Sequence, residues 1–194
     1  MARQRPDKTG GDHRPTGPNS YRSDHARMVF QVLGLERGQR FLDLGCGPGD
    51  WSLAAGGIVG PTGQVFALDI WEAMVAGLNA EAISRGLGHV QAMVADITAG
   101  LPFSDRSMDA CFMATVLHMP KVIPKIPVIA DEMRRVLRPG GRLALIESLN
   151  PEAARGLPIN PRLSPEGIER QMTRAGFRQT GRKDLGYNYL FHFQ

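Results

Sequence analysis

The sequence predicts an α/β fold, with a doubly wound, mostly parallel sheet of seven strands and an antiparallel hairpin at its C-terminal end. Three observations predict this fold. Five short apolar runs alternate with amphipathic stretches along the chain. These runs lack a clean polar–apolar alternation, which is typical of parallel strands covered on both faces. Two further strand-like runs follow near the C-terminus and are separated by a short turn, as in a hairpin.

The elements follow one another in the order that a doubly wound sheet requires. A first helix is predicted from Ser20 to residue 33, because apolar residues recur at three-to-four spacing and Gly34 provides a stop. The five apolar runs predict strands at residues 40–44, 64–69, 89–94, 109–114 and 142–147. Helices are predicted between strands at residues 51–55, 72–85 and 128–137. We expect Ile83 on the buried side of the helix at 72–85, and Pro127 in the first turn of the helix at 128–137.

The C-terminal segment has a different pattern. Ser164 followed by Pro165 is typical of a helix start, and the helical periodicity ends at Gly176. Strand-like runs then occupy residues 177–183 and 187–193, with residues 184–186 as the turn between them. These two runs are therefore predicted to form the hairpin at one edge of the sheet.

Length and composition indicate one intracellular domain. The chain has 194 residues, which suits a single domain at residues 20–194 preceded by a disordered basic tail at residues 1–19. Its two cysteines, Cys46 and Cys111, exclude a disulfide scaffold and a four-cysteine zinc site. No apolar run approaches the ~18 residues of a membrane span, and the N-terminus lacks a secretory h-region. We therefore expect a soluble protein of the cytoplasm.

The positive charge is concentrated at the two ends of the chain. Residues 1–27 carry six Lys or Arg against three Asp or Glu, and residues 151–194 carry seven against four. The central residues 28–150 are mildly acidic, with ten basic and twelve acidic side chains. A dedicated nucleic-acid binder usually concentrates its basic residues on one face. A nucleic-acid partner is therefore not favoured.

A glycine-rich loop follows the first predicted strand and gives the strongest local signal. Gly45, Gly47 and Gly49 would let the backbone approach a ligand closely and direct N–H groups of the next helix toward it. The spacing differs from the dinucleotide pattern G-x-G-x-x-G, because the third glycine comes one residue early. Asp43, two residues before the first glycine, would repel a pyrophosphate but would suit a ligand that carries an ammonium group.

Two more carboxylates end the next strands. Asp69 ends the second predicted strand, where an acidic side chain can bind the hydroxyls of a ribose. Asp96 follows the third strand and could accept a hydrogen bond from an exocyclic amine. Because parallel strands place their carboxyl ends at one edge, these side chains and Asp43 should face one crevice.

These segments together resemble the class I S-adenosylmethionine-dependent methyltransferases, over residues 21–194. The segments that carry the resemblance are DLGCGPGD at 43–50, ALDI at 67–70, ADI at 95–97, LPFSDRSMDA at 101–110 and EMRRVLRPGGRLALIE at 132–147. The small enzymes related to ubiquinone and menaquinone C-methyltransferases are the most similar group. The resemblance implies a Rossmann-like methyltransferase fold, S-adenosylmethionine as cofactor and S-adenosylhomocysteine as product.

The resemblance also implies roles for residues. In that family the glycine loop and the acid before it contact the methionine part of the cofactor, and the acid after the second strand binds the ribose. The next two residues lie against adenine, and the segment after the third strand contacts the adenine edge. The segment after the fourth strand borders the transferred methyl group. The cofactor-binding residues implied here are Asp43, Gly45, Cys46, Gly47, Gly49, Asp69, Ile70, Trp71, Asp96, Ile97 and Thr115.

The residues expected near the methyl acceptor form a less specific sequence pattern than the cofactor-binding segments do. His118 is the candidate catalytic residue, as a general base, because the pKa of an unperturbed histidine lies near neutrality. The alternative is that His118 only packs beneath the cofactor. The loop at residues 120–127, with three prolines, is either an acceptor-site loop or a connection. Tyr21, Arg22 and His25 either close over the cofactor or form a plain helix start.

No metal site is predicted. Asp131 and Glu132 are interpreted as solvated residues in the first turns of a helix. The leading hypothesis is methyl transfer by in-line displacement to a small molecule. The alternatives are an RNA or protein acceptor, a non-catalytic cofactor-binding module and, least favoured, a nicotinamide oxidoreductase. The sequence leaves the acceptor atom and the oligomeric state open.

Overall fold

The computed structural model describes residue 21 and residues 23–148, 163–186 and 188–194. The predicted tail at 1–19, the helix start at Ser20, Arg22, the connection at 149–162 and Tyr187 lie outside the described residues. The helices are α1 (Ser23–Leu33), α2 (Asp50–Val59), α3 (Glu72–Ser84), α4 (Ile126–Val136) and α5 (Pro165–Arg174). The strands are β1 (Arg40–Leu44), β2 (Gln64–Asp69), β3 (Val90–Val94), β4 (Met108–Ala114), β5 (Leu137–Glu147), β6 (Gln179–Asp184) and β7 (Tyr189–Phe193).

The seven strands form one sheet in the order β3-β2-β1-β4-β5-β7-β6. The first five strands along the chain pair in parallel, and β7 pairs antiparallel with both β5 and β6. The predicted fold class and the C-terminal hairpin are confirmed. The strand order reverses between β1 and β4, and doubly wound sheets bind ligands at the carboxyl ends of the strands beside such a reversal.

The core has two layers, one on each face of the sheet. Apolar side chains of α1, α2 and α3 pack against one face, where Trp51 lies 4.6 Å from Phe112 between ring centroids. Apolar side chains of α4 and α5 pack against the other face. Since both faces are covered, the central strands are buried along almost their whole length, which explains why their sequences lack a polar–apolar alternation.

Three local features differ from the sequence-based expectations. Strand β5 begins at Leu137 rather than at residue 142, because the chain pairs with β4 there before an irregularity in register. Helix α2 continues to Val59. Ile83 is exposed rather than buried, since the buried stripe of α3 consists of Val75, Leu78 and Ala82. Ile83 directly follows Ala82 and is therefore rotated about 100° around the helix from that stripe.

Glu132 was expected to be solvated, but it helps to fix the segment between β3 and β4. Its carboxylate accepts hydrogen bonds from Arg135 and from the backbone N–H of Leu101. Arg135 also donates to the carbonyl oxygens of Leu101 and Phe103. This network ties the segment that follows Asp96 to helix α4.

Among the described residues, no helix has both the length and the apolar character needed to cross a bilayer.

Candidate functional site

The loop at residues 45–49 owes its shape to three glycines. Gly45, Gly47 and Gly49 have φ values of +76°, +51° and +90°, which L-residues with a side chain rarely adopt. A Cβ on Gly45 would lie 2.5 Å from Val116 Cγ2, and one on Gly49 would lie 2.3 Å from Leu78 Cδ1. A Cβ on Gly47 would have no atom within 4 Å. The loop is therefore packed tightly at both ends and open in the middle, where a ligand can approach its backbone.

Asp69 connects this loop to the end of β2. Its Oδ2 accepts a hydrogen bond from the Gly47 backbone N–H at 2.8 Å, and its Oδ1 accepts one from the Trp71 N–H at 2.9 Å. The N–H groups of Gly45 and Cys46 donate to the carbonyl oxygen of Leu68. A carboxylate oxygen can accept more than one hydrogen bond, so Asp69 retains capacity for hydroxyl donors of a ligand.

Asp43 lies beneath the loop rather than at its surface. Its side chain is buried, at 1% exposure, and its Oδ2 accepts a hydrogen bond from the Ser52 hydroxyl at 2.6 Å. Burial raises the pKa of Asp43 to about 7; the Ser52 hydrogen bond lowers it, and the charge of Asp69 raises it further. Burial likewise raises the pKa of the Cys46 thiol. The sequence predicted that Asp43 would suit a ligand with an ammonium group, and the resemblance implied that it lies against the methionine part of the cofactor; in the structure its carboxyl is buried beneath the loop.

The thermal stability of the ligand-free protein should fall between about pH 4 and about pH 7, relative to the Asp43→Asn variant. The native carboxyl holds its proton up to about pH 7, whereas in the unfolded chain it ionises near pH ~4. The native state therefore binds more protons in this window, and its stabilisation relative to the unfolded state decreases as the pH rises. Above this window the difference should be constant.

Unfolding temperatures of both proteins across this window measure the effect. Asparagine retains an acceptor for Ser52, so the variant removes the titrating group with little change in shape. Asp69 on β2 and the Cys46 thiol are the neighbouring ionisable groups, and both proteins contain them. A difference in unfolding temperature that does not change with pH would mean that Asp43 does not titrate in this range.

An apolar shelf adjoins Asp69. Ile70 and Trp71 are 59% and 53% exposed, and being adjacent in sequence they form a continuous apolar surface. Asp96 is exposed nearby, and its Oδ1 accepts hydrogen bonds from the backbone N–H and the hydroxyl of Thr98. These hydrogen bonds lower the pKa of Asp96. Ile97 is buried in the core below it, so only its backbone is suited to contact a ligand.

The segment after β4 is strained and packs on the glycine loop. Thr115 has a φ of +57°, although it is not a glycine. Its N–H donates to the carbonyl oxygen of Ile146, and the next residue, Val116, contacts Gly45. Strain of this kind costs of order 1–3 kcal/mol and is concentrated at functional sites.

His118 forms a pair with a residue that the sequence analysis did not identify as functional. Its Nδ1 lies 2.7 Å from Oε1 of Glu147, the last residue of β5. The Glu147 side chain is fully buried, whereas that of His118 is 29% exposed. The hydrogen bond to Glu147 raises the pKa of His118. An acidic residue that ends a buried strand is the signal that could have identified Glu147.

The structure brings the predicted site residues to one edge of the sheet. The glycine loop follows β1, Asp69 ends β2, Asp96 follows β3, and Thr115 and His118 follow β4. Tyr21 lies at the head of α1 and packs edge-on against Trp51 of α2, with the ring centroids 5.1 Å apart. The loop at 120–127 forms a 3₁₀ turn at Ile123–Lys125 and leads into α4. Within the described ranges, no group of three or more His, Cys, Asp or Glu residues could hold a metal ion.

A family model described as a methyltransferase domain matches residues 41–141, just over half of the chain. The chain belongs to this methyltransferase family. Demethylmenaquinone methyltransferase of Geobacillus kaustophilus is 33% identical over 123 residues, which are 63% of this chain and 51% of that protein. Nocamycin O-methyltransferase of Saccharothrix syringae is 34% identical over 155 residues, 80% of this chain and 54% of that protein. The chain thus spans about half the length of these relatives.

Solved structures of this fold agree with the assignment. A SAM-dependent methyltransferase from Aquifex aeolicus has a TM-score of 0.73 and 26% identity, covering 87% of this methyltransferase-family chain and 88% of its own. The [4+2]-cyclase SpnF has a TM-score of 0.69 and 27% identity, covering 84% of this chain and 60% of its own. The fold therefore occurs in proteins named for different reactions.

Proposed function

We propose that this chain binds S-adenosylmethionine at the edge of the sheet and transfers its methyl group to a small-molecule acceptor, releasing S-adenosylhomocysteine. The observation that carries the proposal is the pairing of an open glycine loop with Asp69, next to the exposed Ile70 and Trp71. The relatives of this chain that are named as demethylmenaquinone and nocamycin methyltransferases support a small acceptor.

The residues at this edge suit the parts of the cofactor. The free space at Gly47 allows the methionine part to approach the loop backbone, above the buried side chain of Asp43. Asp69 is placed to accept hydrogen bonds from the ribose hydroxyls, and Ile70 and Trp71 to cover the adenine. Asp96 and the backbone of Ile97 are assigned to the adenine edge. Cys46 and Thr115 are the remaining proposed cofactor-binding residues. Cys46 would contribute through the backbone of the glycine loop, and Thr115 through the segment beside the methyl group.

The protein contributes alignment of the reactants and, through His118, a candidate base. S-adenosylmethionine supplies a methyl group on a sulfonium, which is an excellent leaving group. The chain then needs to hold donor and acceptor in line and to keep competing water away. His118 is our candidate catalytic residue, as a base toward the acceptor. In the loop at 120–127, Val122 and Ile126 are buried in the core, so the exposed Met119 directly before the loop is our candidate for an apolar wall of the acceptor site.

The partners and location follow from the same proposal. We favour a small acceptor over RNA or protein, because the excess of basic residues lies at the two ends of the chain and residues 28–150 are mildly acidic. Binding to RNA would instead weaken steeply with added salt and with deletion of residues 1–19. Both cysteines are free thiols, as is usual in the reducing cytoplasm, where we place the protein.

Thermal unfolding with saturating S-adenosylmethionine, S-adenosylhomocysteine or NAD tests cofactor binding. A ligand at 100 times its dissociation constant stabilises a protein by about 2.7 kcal/mol. We expect both adenosyl compounds to raise the unfolding temperature and NAD to leave it unchanged. Trp71 fluorescence should change on binding, and the Trp71→Phe variant identifies that part of the signal. Stabilisation by NAD alone would contradict the proposal.

A non-catalytic or differently catalytic cofactor-binding module is the second candidate. The similarity to the structure of the [4+2]-cyclase SpnF favours keeping this candidate. The two functions differ in one observable, the formation of S-adenosylhomocysteine. Release of this product in the presence of a panel of small acceptors supports the transferase. Binding without any product across the panel supports the module.

A further inference from the structure

Glu147 occupies an unusual position for a carboxylate. It is the last residue of β5, its side chain is fully buried, and it lies opposite Tyr189 of β7 in the sheet register. Two backbone N–H groups and one histidine ring nitrogen lie within hydrogen-bond distance of its carboxylate. Its Oε2 accepts from the Leu117 backbone N–H at 2.8 Å, and its Oε1 accepts from the Ser148 N–H at 2.9 Å and faces His118 Nδ1 at 2.7 Å. These donors fit an ionised carboxylate, which only accepts hydrogen bonds.

This arrangement fixes the state of the His118 ring. A carboxylate has no proton to donate, so Nδ1 carries the hydrogen that joins the two side chains. In the neutral ring, the second nitrogen, Nε2, then carries the lone pair that can accept a proton. Nε2 has no hydrogen-bond partner in the described part of the chain, and the ring is partly exposed at the edge that holds the glycine loop. Glu147 therefore fixes the tautomer and the orientation of the His118 ring, as a third group orients the base in other catalytic sites.

We propose that Glu147 is a positioning residue that makes His118 Nε2 the general base, and that the acceptor is a hydroxyl group. This inference rests on the proposed methyl transfer. A neutral thioether or tertiary amine has no proton to lose, so it would not need a base. A hydroxyl attacks well only as its proton leaves. A relative of this chain is named as an O-methyltransferase, which agrees with this acceptor class.

The reaction balances in one step. A lone pair of the hydroxyl oxygen forms the new C–O bond while the S–C bond breaks. The electron pair of the S–C bond stays on sulfur, which becomes a neutral thioether. The hydroxyl proton passes to His118 Nε2, and the Nδ1 hydrogen remains shared with Glu147. The resulting imidazolium is stabilised by the buried carboxylate and later returns its proton to solvent.

Direct observation of the ring tests the positioning role without any acceptor. Nuclear magnetic resonance of ¹⁵N-histidine-labelled protein with bound S-adenosylhomocysteine reports both the tautomer and the pKa of His118. We expect the Nδ1–H tautomer and a pKa above the usual histidine value, because of the Glu147 hydrogen bond. In Glu147→Gln the pKa of His118 should fall. In the control Glu81→Gln, which removes an exposed glutamate of α3, it should not change.

The variant Glu147→Asp provides a second test in case Glu147→Gln does not fold. It retains the charge and the two carboxylate oxygens as acceptors for the Leu117 and Ser148 N–H groups, while shortening the side chain. We expect the pKa of His118 to stay raised in Glu147→Asp while the rate of transfer falls, since the ring is displaced. A proton on Nε2 of the neutral ring, or a pKa that is the same in wild type and Glu147→Gln, would overturn the positioning role. Other ionisable groups of the described chain at this edge include Tyr189 opposite Glu147, Lys121 and Lys125 beside Asp96, and Asp43, Cys46 and Asp69 at the loop, and every variant retains them.

Turnover tests the acceptor class. The probes are phenol, catechol and 1-naphthol, with aniline as the amine counterpart; S-adenosylhomocysteine formation measures turnover, and identification of the product as a methyl ether shows that oxygen is the acceptor. We expect transfer to a hydroxyl probe with a rate that rises with pH through the His118 pKa, and this rise should shift to lower pH in Glu147→Gln. Transfer to aniline alone, or none to any hydroxyl probe, would overturn the hydroxyl assignment. Loss of S-adenosylmethionine binding itself would instead refute the proposed function, which calorimetry measures separately.

Discussion

Replacement of Asp69 by asparagine is expected to weaken binding of S-adenosylmethionine about 100-fold, which corresponds to roughly 2.7 kcal/mol. The carboxylate is proposed to accept hydrogen bonds from both ribose hydroxyls while it holds the N–H groups of Gly47 and Trp71. An asparagine keeps one oxygen and presents an NH₂ group to donors. Both the ribose contacts and the shape of the loop are therefore impaired. Isothermal titration calorimetry measures the change in affinity.

Two comparisons identify the cause of the loss. S-adenosylhomocysteine carries the same ribose but no sulfonium charge, so its affinity should fall by a similar factor. A loss confined to S-adenosylmethionine would indicate that Asp69 acts through its charge and not through the ribose. Asp131→Asn removes an exposed carboxylate of α4 and serves as the matched control. An unchanged affinity of Asp69→Asn for S-adenosylmethionine would show that Asp69 does not bind the ribose.

The Gly45→Ala variant is expected to lose about 3 kcal/mol of stability, from backbone strain and overpacking together. The φ of +76° at this position is unfavourable for alanine, and the new Cβ would lie 2.5 Å from Val116 Cγ2. Val116 belongs to the strained segment that leads to His118, so its displacement should also disturb the site. For a protein of this size the unfolding temperature should fall by about 10 °C.

Gly47→Ala provides the matched control. Its φ of +51° imposes a comparable backbone strain, but its Cβ would have no atom within 4 Å. We expect it to lose only about 1–2 kcal/mol, the cost of the left-handed conformation alone. It should nevertheless impair cofactor binding, because its methyl group would project from the open side of the loop. Equal destabilisation by the two variants would contradict the role assigned to Val116.

The sequence was sufficient to predict the architecture and to place most of the candidate residues at one edge of the sheet. Strands buried on both faces have continuous apolar sequences, and the turns between elements are marked by glycine and proline, so five strands and the hairpin could be located. The loop glycines, Asp69 and Asp96 could be assigned to one edge for a related reason. In a parallel sheet every strand ends at the same side, so position along the chain alone determines which residues meet there.

The tertiary structure decided the features that depend on neighbours distant in sequence. The ends of β4 and β5 lie side by side, which brings His118 and Glu147 to 2.7 Å although 29 positions separate them. Burial of Asp43 beneath the loop raises its pKa and follows from its contact with α2. Ile83 is exposed because of its rotation around α3. Sequence patterns record what each segment prefers, whereas distances between side chains and their burial depend on how the segments pack.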